Sequence, residues 1–155
     1  MEDANSCNRS TARNRPRVVG TGAWFALQRD VLVNRNPLVE KVIGCAIEVH
    51  RAIGPGLLES AYAVCLAHEL QIQGIAFVRD VAVPIVYKGV RLGCVYRADF
   101  VVEGALLIEL KSVEQIQPIH HAQVLTYLKL LDLHHGLLLN FNARRLVDGL
   151  RSLLR

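Results

Sequence analysis

The sequence predicts a mixed α/β domain, one sheet with helices packed against it. Three observations carry this expectation. From residue 37 the apolar residues recur at helical spacing. Near Phe77 the pattern changes to β-branched and aromatic runs separated by turn residues. Helical spacing then returns after Pro118, with short apolar runs before and after it. The order read over residues 37–155 is α-α-β-β-β-β-α-β-α.

Asn36-Pro37 supplies an N-cap followed by proline in the first turn. Leu38, Val42, Cys45, Ala46 and Val49 give one apolar face up to about Ile53, where Gly54-Pro55-Gly56 breaks the chain. A second helix is expected from about Leu57 to Gln73, ended by Gly74, with Leu58, Ala61, Tyr62, Cys65, Leu66 and Leu70 as its stripe. Strands follow at Phe77–Val78, Val81–Tyr87 and Leu92–Val102, with Lys88-Gly89 as a turn. Leu106–Lys111 is a fourth. Pro118 opens a third helix reaching about Leu131, Leu137–Phe141 reads as a buried strand, and Val147–Leu154 as a closing amphipathic helix.

Composition limits the function classes. A chain of 155 residues with 52% hydrophobic and 21% charged residues can bury a core, which argues against disorder. No apolar run approaches a membrane span, and the acidic start Met1-Glu2-Asp3 is not followed by a signal-peptide core. The expectation is a cytoplasmic protein with no membrane partner. Cys7, Cys45, Cys65 and Cys94 form no C-x-x-C pair, which argues against a zinc ribbon. The net charge of +4 is uneven. Residues 1–36 hold six arginines against three acids, and residues 37–155 hold twelve Lys/Arg against eleven Asp/Glu. Residues 1–36 lack a sustained period and are expected to be a mostly disordered basic extension.

The chemistry-bearing residues concentrate between Arg97 and Tyr127. Strand residues two apart share a face, so Glu109 and Lys111 project together with Leu110 opposite. A carboxylate and an ammonium on an apolar strand need a partner. A divalent cation is a useful one, because hard oxygens hold Mg²⁺ and a nearby lysine can position a water. By itself the pattern also fits a hairpin with a surface ion pair. Glu59 borders the buried stripe of the second helix, or else simply benefits from the helix dipole. Gln123 and Tyr127, four apart, share a helix face, as a polar pair aimed at a water or phosphate or as a core glutamine with backbone partners. Arg97 is read as a phosphate contact or an ion-pair partner of Asp99 or Glu109. The six histidines show no H-x-x-x-H spacing and are expected to be solvated or locally bonded.

Several ordered blocks resemble a known family. Gly56-Leu57-Leu58-Glu59-Ser60-Ala61-Tyr62 resembles the signature of bacterial GxxExxY proteins, placed in the PD-(D/E)XK, restriction-endonuclease-like superfamily. The likeness continues through Val49–Gly56, Val86–Gly89, Tyr96–Asp99, Ile108–Lys111, Ala122–Leu128 and Leu139–Phe141, covering about residues 37–155. It implies a restriction-endonuclease-like core, a mixed central sheet flanked by helices. It also implies Asp99 on one central strand and Glu109 and Lys111 on the next. Glu59 is the further acid from the preceding helix, and Gln123 and Tyr127 are the Gln-x-x-x-Tyr pair of some branches. Ala98 stands where the named motif has proline.

The function expected is a Mg²⁺-dependent (or Mn²⁺-dependent) nuclease acting on nucleic acid, most directly DNA. Glu59, Asp99, Glu109 and the Leu110 carbonyl would hold the metal, with Lys111, Gln123 and Tyr127 as catalytic groups and Arg97 on the substrate. The alternative is an inactive nucleic-acid-binding or accessory module on the same fold, which the nearly neutral core favours slightly. A homodimer is compatible with the sequence but not specified by it. One register condition applies. A two-residue turn at Glu103-Gly104 would place Asp99 opposite Ile108, on the wrong face for Glu109. A three-residue loop of Val102-Glu103-Gly104 would set Asp99 opposite Leu107 and diagonal to Glu109.

Overall fold

The computed structural model describes residues 36–155. Expectations about residues 1–35, including the disordered extension, lie outside the described residues. Helix α1 spans Pro37–Ile53 and helix α2 Glu59–Ile72. Strands β1 (Phe77–Tyr87), β2 (Val90–Val102) and β3 (Leu106–Lys111) lead to helix α3 (Pro118–Leu130) and strand β4 (His135–Asn140). A 3-10 turn at Leu146–Gly149 precedes strand β5, Leu150–Leu154.

Asn36 starts α1 as expected, its side chain accepting the Leu38 N–H at 3.0 Å with proline following. Gly54, at φ 77, ends that helix. Helix α2 starts two residues later than the sequence predicts, which makes Glu59 its first residue.

The five strands form one mixed sheet in the order β1-β2-β3-β4-β5. Only β3 and β4 are parallel, joined through α3. Two apolar layers cover the sheet. Helices α1 and α2 pack with Phe100, Ile108, Leu110, Leu137 and Leu139 on one face. Helix α3 packs with Val83, Ala98, Leu107 and Leu138 on the other. Gly136 of β4 allows α3 to come close, since a Cβ there would lie 2.8 Å from a Val124 methyl. This is the mixed sheet flanked by helices that the sequence predicts, with two corrections to the element order.

First, Phe77–Val78 and Val81–Tyr87 are one strand, with its ladder to β2 running past Arg79-Asp80. That polar pair reads as a break in sequence. In the fold Arg79 lies over the Phe100 ring at 5.6 Å, and Asp80 adopts a positive φ of 52°. The ribbon turns over at this point. Phe77 and Phe100 belong to the α1/α2 layer, while Val81 and Ala98 belong to the α3 layer. Phe100 and Ala98 would share a face in a regular strand.

Second, the closing helix expected over Val147–Leu154 is a short turn followed by β5. Leu150, Leu153 and Leu154 mimic helical spacing, but β5 hydrogen-bonds the free edge of β4, from Leu139↔Leu150 to His135↔Leu154. Leu150 packs in one layer and Leu153 against the other. Gly149 permits the approach, because a Cβ there would lie 2.6 Å from the Asn140 carbonyl oxygen.

The β2–β3 connection meets the register condition one residue later than predicted. Glu103 (φ 50°) and Gly104 (φ 64°) form a tight turn, and the Ala105 N–H donates to the Val102 carbonyl at 3.0 Å. Pairing resumes at Val102↔Leu106, so Ala105 counts as a third loop residue. The positive φ at Glu103 is held by two bonds to Ala76. The Glu103 N–H donates to the Ala76 carbonyl, and the Ala76 N–H donates to Glu103 Oε1, each at 2.9 Å.

Candidate nuclease site

Asp99 sits at the corner where β2 changes layers. Pairing with β3 stops at Phe100↔Ile108. Beyond it the Leu110 N–H, which a continued ladder would bond to β2 backbone, donates to Asp99 Oδ2 at 2.6 Å. The Asp99 carboxylate thus lies at the strand edge instead of on a face set by alternation. Burial raises its pKa above the ordinary range, against the pull of the Leu110 N–H and the Lys111 charge.

Glu109 is only 2% exposed. Its Oε1 accepts from Lys111 Nζ at 2.7 Å, and its buried Oε2 has no hydrogen-bond partner among the described residues. Burial first, and the neighbouring Asp99 second, push its pKa to about 7, with Lys111 opposing. Lys111 also donates to the Leu110 carbonyl at 2.9 Å and lies 4.0 Å from Glu59 Oε1. Its ammonium therefore bridges two of the oxygens that the sequence assigns to a cation, Glu109 Oε1 and the Leu110 carbonyl.

Glu59 reaches this group from the first turn of α2. Burial raises its pKa, while Lys111 and the Ser112 N–H pull it down. The loop before it is pinned by side chains. The Tyr62 hydroxyl donates to the Gly54 carbonyl at 2.7 Å and accepts the Leu57 N–H at 3.1 Å, with its ring stacked on Phe141. Ser112 Oγ donates to the Leu57 carbonyl at 2.6 Å. Gly56, at φ 107°, supplies a conformation that other residues rarely adopt. The Gly-x-x-Glu-x-x-Tyr block thus has a local reason: glycine turns the chain, tyrosine locks the turn, and the glutamate lands beside β3.

From the opposite layer, Gln123 Nε2 donates to the Tyr127 hydroxyl at 3.0 Å. Burial holds the Tyr127 phenol above its ordinary range, and the Glu109 charge adds to this. Arg97 is exposed and donates to the Asp80 carbonyl at 3.3 Å. It forms no ion pair with Asp99 or Glu109.

Two contributors escape the sequence reading. Ser112 anchors the loop before Glu59. Asn140 is buried and holds the chain after β3, donating to the Val113 carbonyl at 2.8 Å and accepting its N–H at 3.0 Å. His120 is locally bonded, as the sequence predicts for the histidines: its Nδ1 accepts the Gln117 N–H at 3.1 Å at the start of α3, and burial and the nearby Lys111 lower its pKa.

The donor set fits a divalent cation in kind. It offers carboxylate and carbonyl oxygens, including one buried carboxylate oxygen without a partner. Among the described residues, however, no three His, Cys, Asp or Glu side chains are spaced as a ready metal-binding group.

A mixed sheet between helical layers, with acids and a lysine where two central strands part, defines a restriction-endonuclease-like protein. A family model described as the PD-(D/E)XK nuclease superfamily matches residues 36–152, and the chain belongs to that superfamily. Comparisons with curated proteins and with solved structures give no match. No helix among the described residues is long and apolar enough to cross a membrane.

Proposed function

We propose that this chain is a metal-dependent phosphodiesterase that cleaves DNA, and that it belongs to the GxxExxY branch of its superfamily. The observation that carries the reading is the buried Glu109 Oε2, unpartnered among the described residues, within a group containing Asp99, Lys111 and Glu59. A buried acceptor without a donor is unfavourable unless a ligand satisfies it. Glu109, Asp99 and the Leu110 carbonyl would hold Mg²⁺ or Mn²⁺, with Glu59 as a further oxygen donor. When bound, such an ion neutralises phosphate charge and acidifies a water.

The chain's own groups divide the remaining work. Lys111, released from Glu109 Oε1, orients the attacking water and offsets charge on the phosphate. The Gln123 amide and Tyr127 hydroxyl position the scissile backbone from the α3 side. Arg97 meets a phosphate farther along the strand.

Binding without turnover is the second reading, favoured by the lack of a ready three-residue metal group among the described residues. A cleavage assay on single-stranded, duplex and branched DNA, with Mg²⁺ or Mn²⁺, separates the two. The nuclease reading expects cleavage that disappears in EDTA and in Lys111→Ala. Tight DNA binding with no metal-dependent cleavage would favour the accessory module.

A further inference from the structure

We infer that the outer half of the β1–β2 hairpin is a stacking track for single-stranded nucleic acid leading to the candidate site. This inference rests on the nuclease reading and names its substrate class. Strand β2 pairs with β3 only over Phe100–Val102, so Val83–Tyr87 and Val90–Tyr96 form a two-stranded arm projecting past the sheet, its ladder shifting register between Pro84 and Ile85. Such a ribbon is marginal alone and normally needs something against its apolar side. Here Tyr87 is 62%, Val90 61% and Tyr96 54% exposed.

Tyr96 adjoins the site, and Tyr87 ends the arm. Tyr96 pairs with Val83, which is buried in the α3 layer, and its ring centroid lies 6.1 Å from that of Tyr127. Tyr87 follows Val83 by four residues along β1, about 13 Å farther out, beyond the register shift between Pro84 and Ile85. Lys88 Nζ stands 5.6 Å from the Tyr87 ring centroid. Tyr127 and Tyr96 thus stand together beside the carboxylates, and exposed Tyr87 stands at the hairpin tip.

Charge selects the occupant. Strands β1 and β2 with their turn carry Arg79, Lys88, Arg91 and Arg97 against Asp80 and Asp99, whereas residues 37–76 carry two Lys/Arg against four glutamates. The nearly neutral total conceals a basic arm beside an acidic helical layer. A second copy of the arm would bring like charges together, while a polyanion with flat faces matches both the basic groups and the rings. Bases in a blunt duplex are stacked on one another and cannot offer those faces, so the fitting form is an unpaired or splayed strand.

Fluorescence anisotropy of the full chain in EDTA, where cleavage cannot interfere, tests the track. The probes are a labelled oligothymidylate and a blunt duplex of matched length. The single strand should bind about tenfold tighter or better, and Tyr96→Ala and Tyr87→Ala should each weaken it roughly 5- to 100-fold, the loss of one stacked base. Tyr96→Phe should keep wild-type affinity, because the ring face is retained. Alanine variants that bind like wild type, or a duplex bound as tightly as the single strand, would overturn the track. So would a dimer that Tyr87→Ala dissociates with oligonucleotide affinity unchanged. The two readings fail separately: metal-dependent cleavage with tyrosine-independent binding removes only the track. Tyrosine-dependent binding by a protein that never cleaves removes only the nuclease.

Discussion

Asp99 Oδ2 accepts the Leu110 backbone N–H at 2.6 Å, and this bond fastens the corner of β2 to the C-terminal end of β3. One carboxylate thus completes the strand edge and stands beside Glu109 and Lys111. Asp99→Ala removes the acceptor and leaves a part-buried N–H unsatisfied, so unfolding in urea should show a loss of about 1–3 kcal/mol. Asp99→Asn retains an acceptor oxygen and should lose less. Equal losses in the two variants would mean that the bond contributes nothing to the corner.

Tyr62→Phe tests the lock before Glu59. The ring and its stacking on Phe141 remain, but the Gly54 carbonyl and Leu57 N–H lose their partner. A loss of roughly 1–2 kcal/mol is expected by chemical denaturation, together with slower cleavage as Glu59 loosens. A variant with wild-type stability and rate would show that the loop is held by other contacts.

The buried acid gives a pH dependence with a definite sign. The folded pKa of Glu109 is raised from 4.5 to about 7, so between those values the folded chain holds a proton that the unfolded chain has released. Stability in EDTA should therefore fall as pH rises through about 4.5 to 7, and the contribution is fully present only below that window. Glu59 and Asp99 are shifted in the same direction. Glu109→Gln should flatten the decline. A Glu109→Gln profile parallel to wild type across the window would remove Glu109 as its source.

The loop count is tested by deleting Ala105. The tight turn at Glu103-Gly104 would survive, but β3 would slip by one residue against β2 and turn its apolar residues to the wrong faces. The deletion should abolish cooperative unfolding, while Ala105→Gly should fold. A deleted chain that melts like wild type would refute the register.

Most of the fold was legible because its elements obey one period each. The start of α1 follows from Asn36-Pro37, and the pairing of Glu109 with Lys111 from strand alternation. The position of Asp99 was not legible. Alternation assumes a regular strand, whereas the ribbon turns over at Asp80 and Asp99, and the odd-numbered loop that the site requires depends on Ala105. The C-terminal strand was missed because leucines three and four apart look helical when the unsatisfied edge of β4 is out of view. The roles of Ser112 and Asn140 depend on contacts 55 and 27 residues away in sequence, which no local pattern carries.

The most direct test of the central claim is cleavage of a labelled DNA by highly purified Asp99→Asn protein in Mg²⁺ or Mn²⁺, with circular dichroism and melting as fold controls. Asparagine can preserve the Leu110 bond but cannot supply an anionic oxygen to a cation. The nuclease account predicts a folded protein with cleavage reduced at least about 100-fold, in the range lost with a key electrostatic group. Wild-type cleavage by folded, pure Asp99→Asn would contradict the assignment of this site.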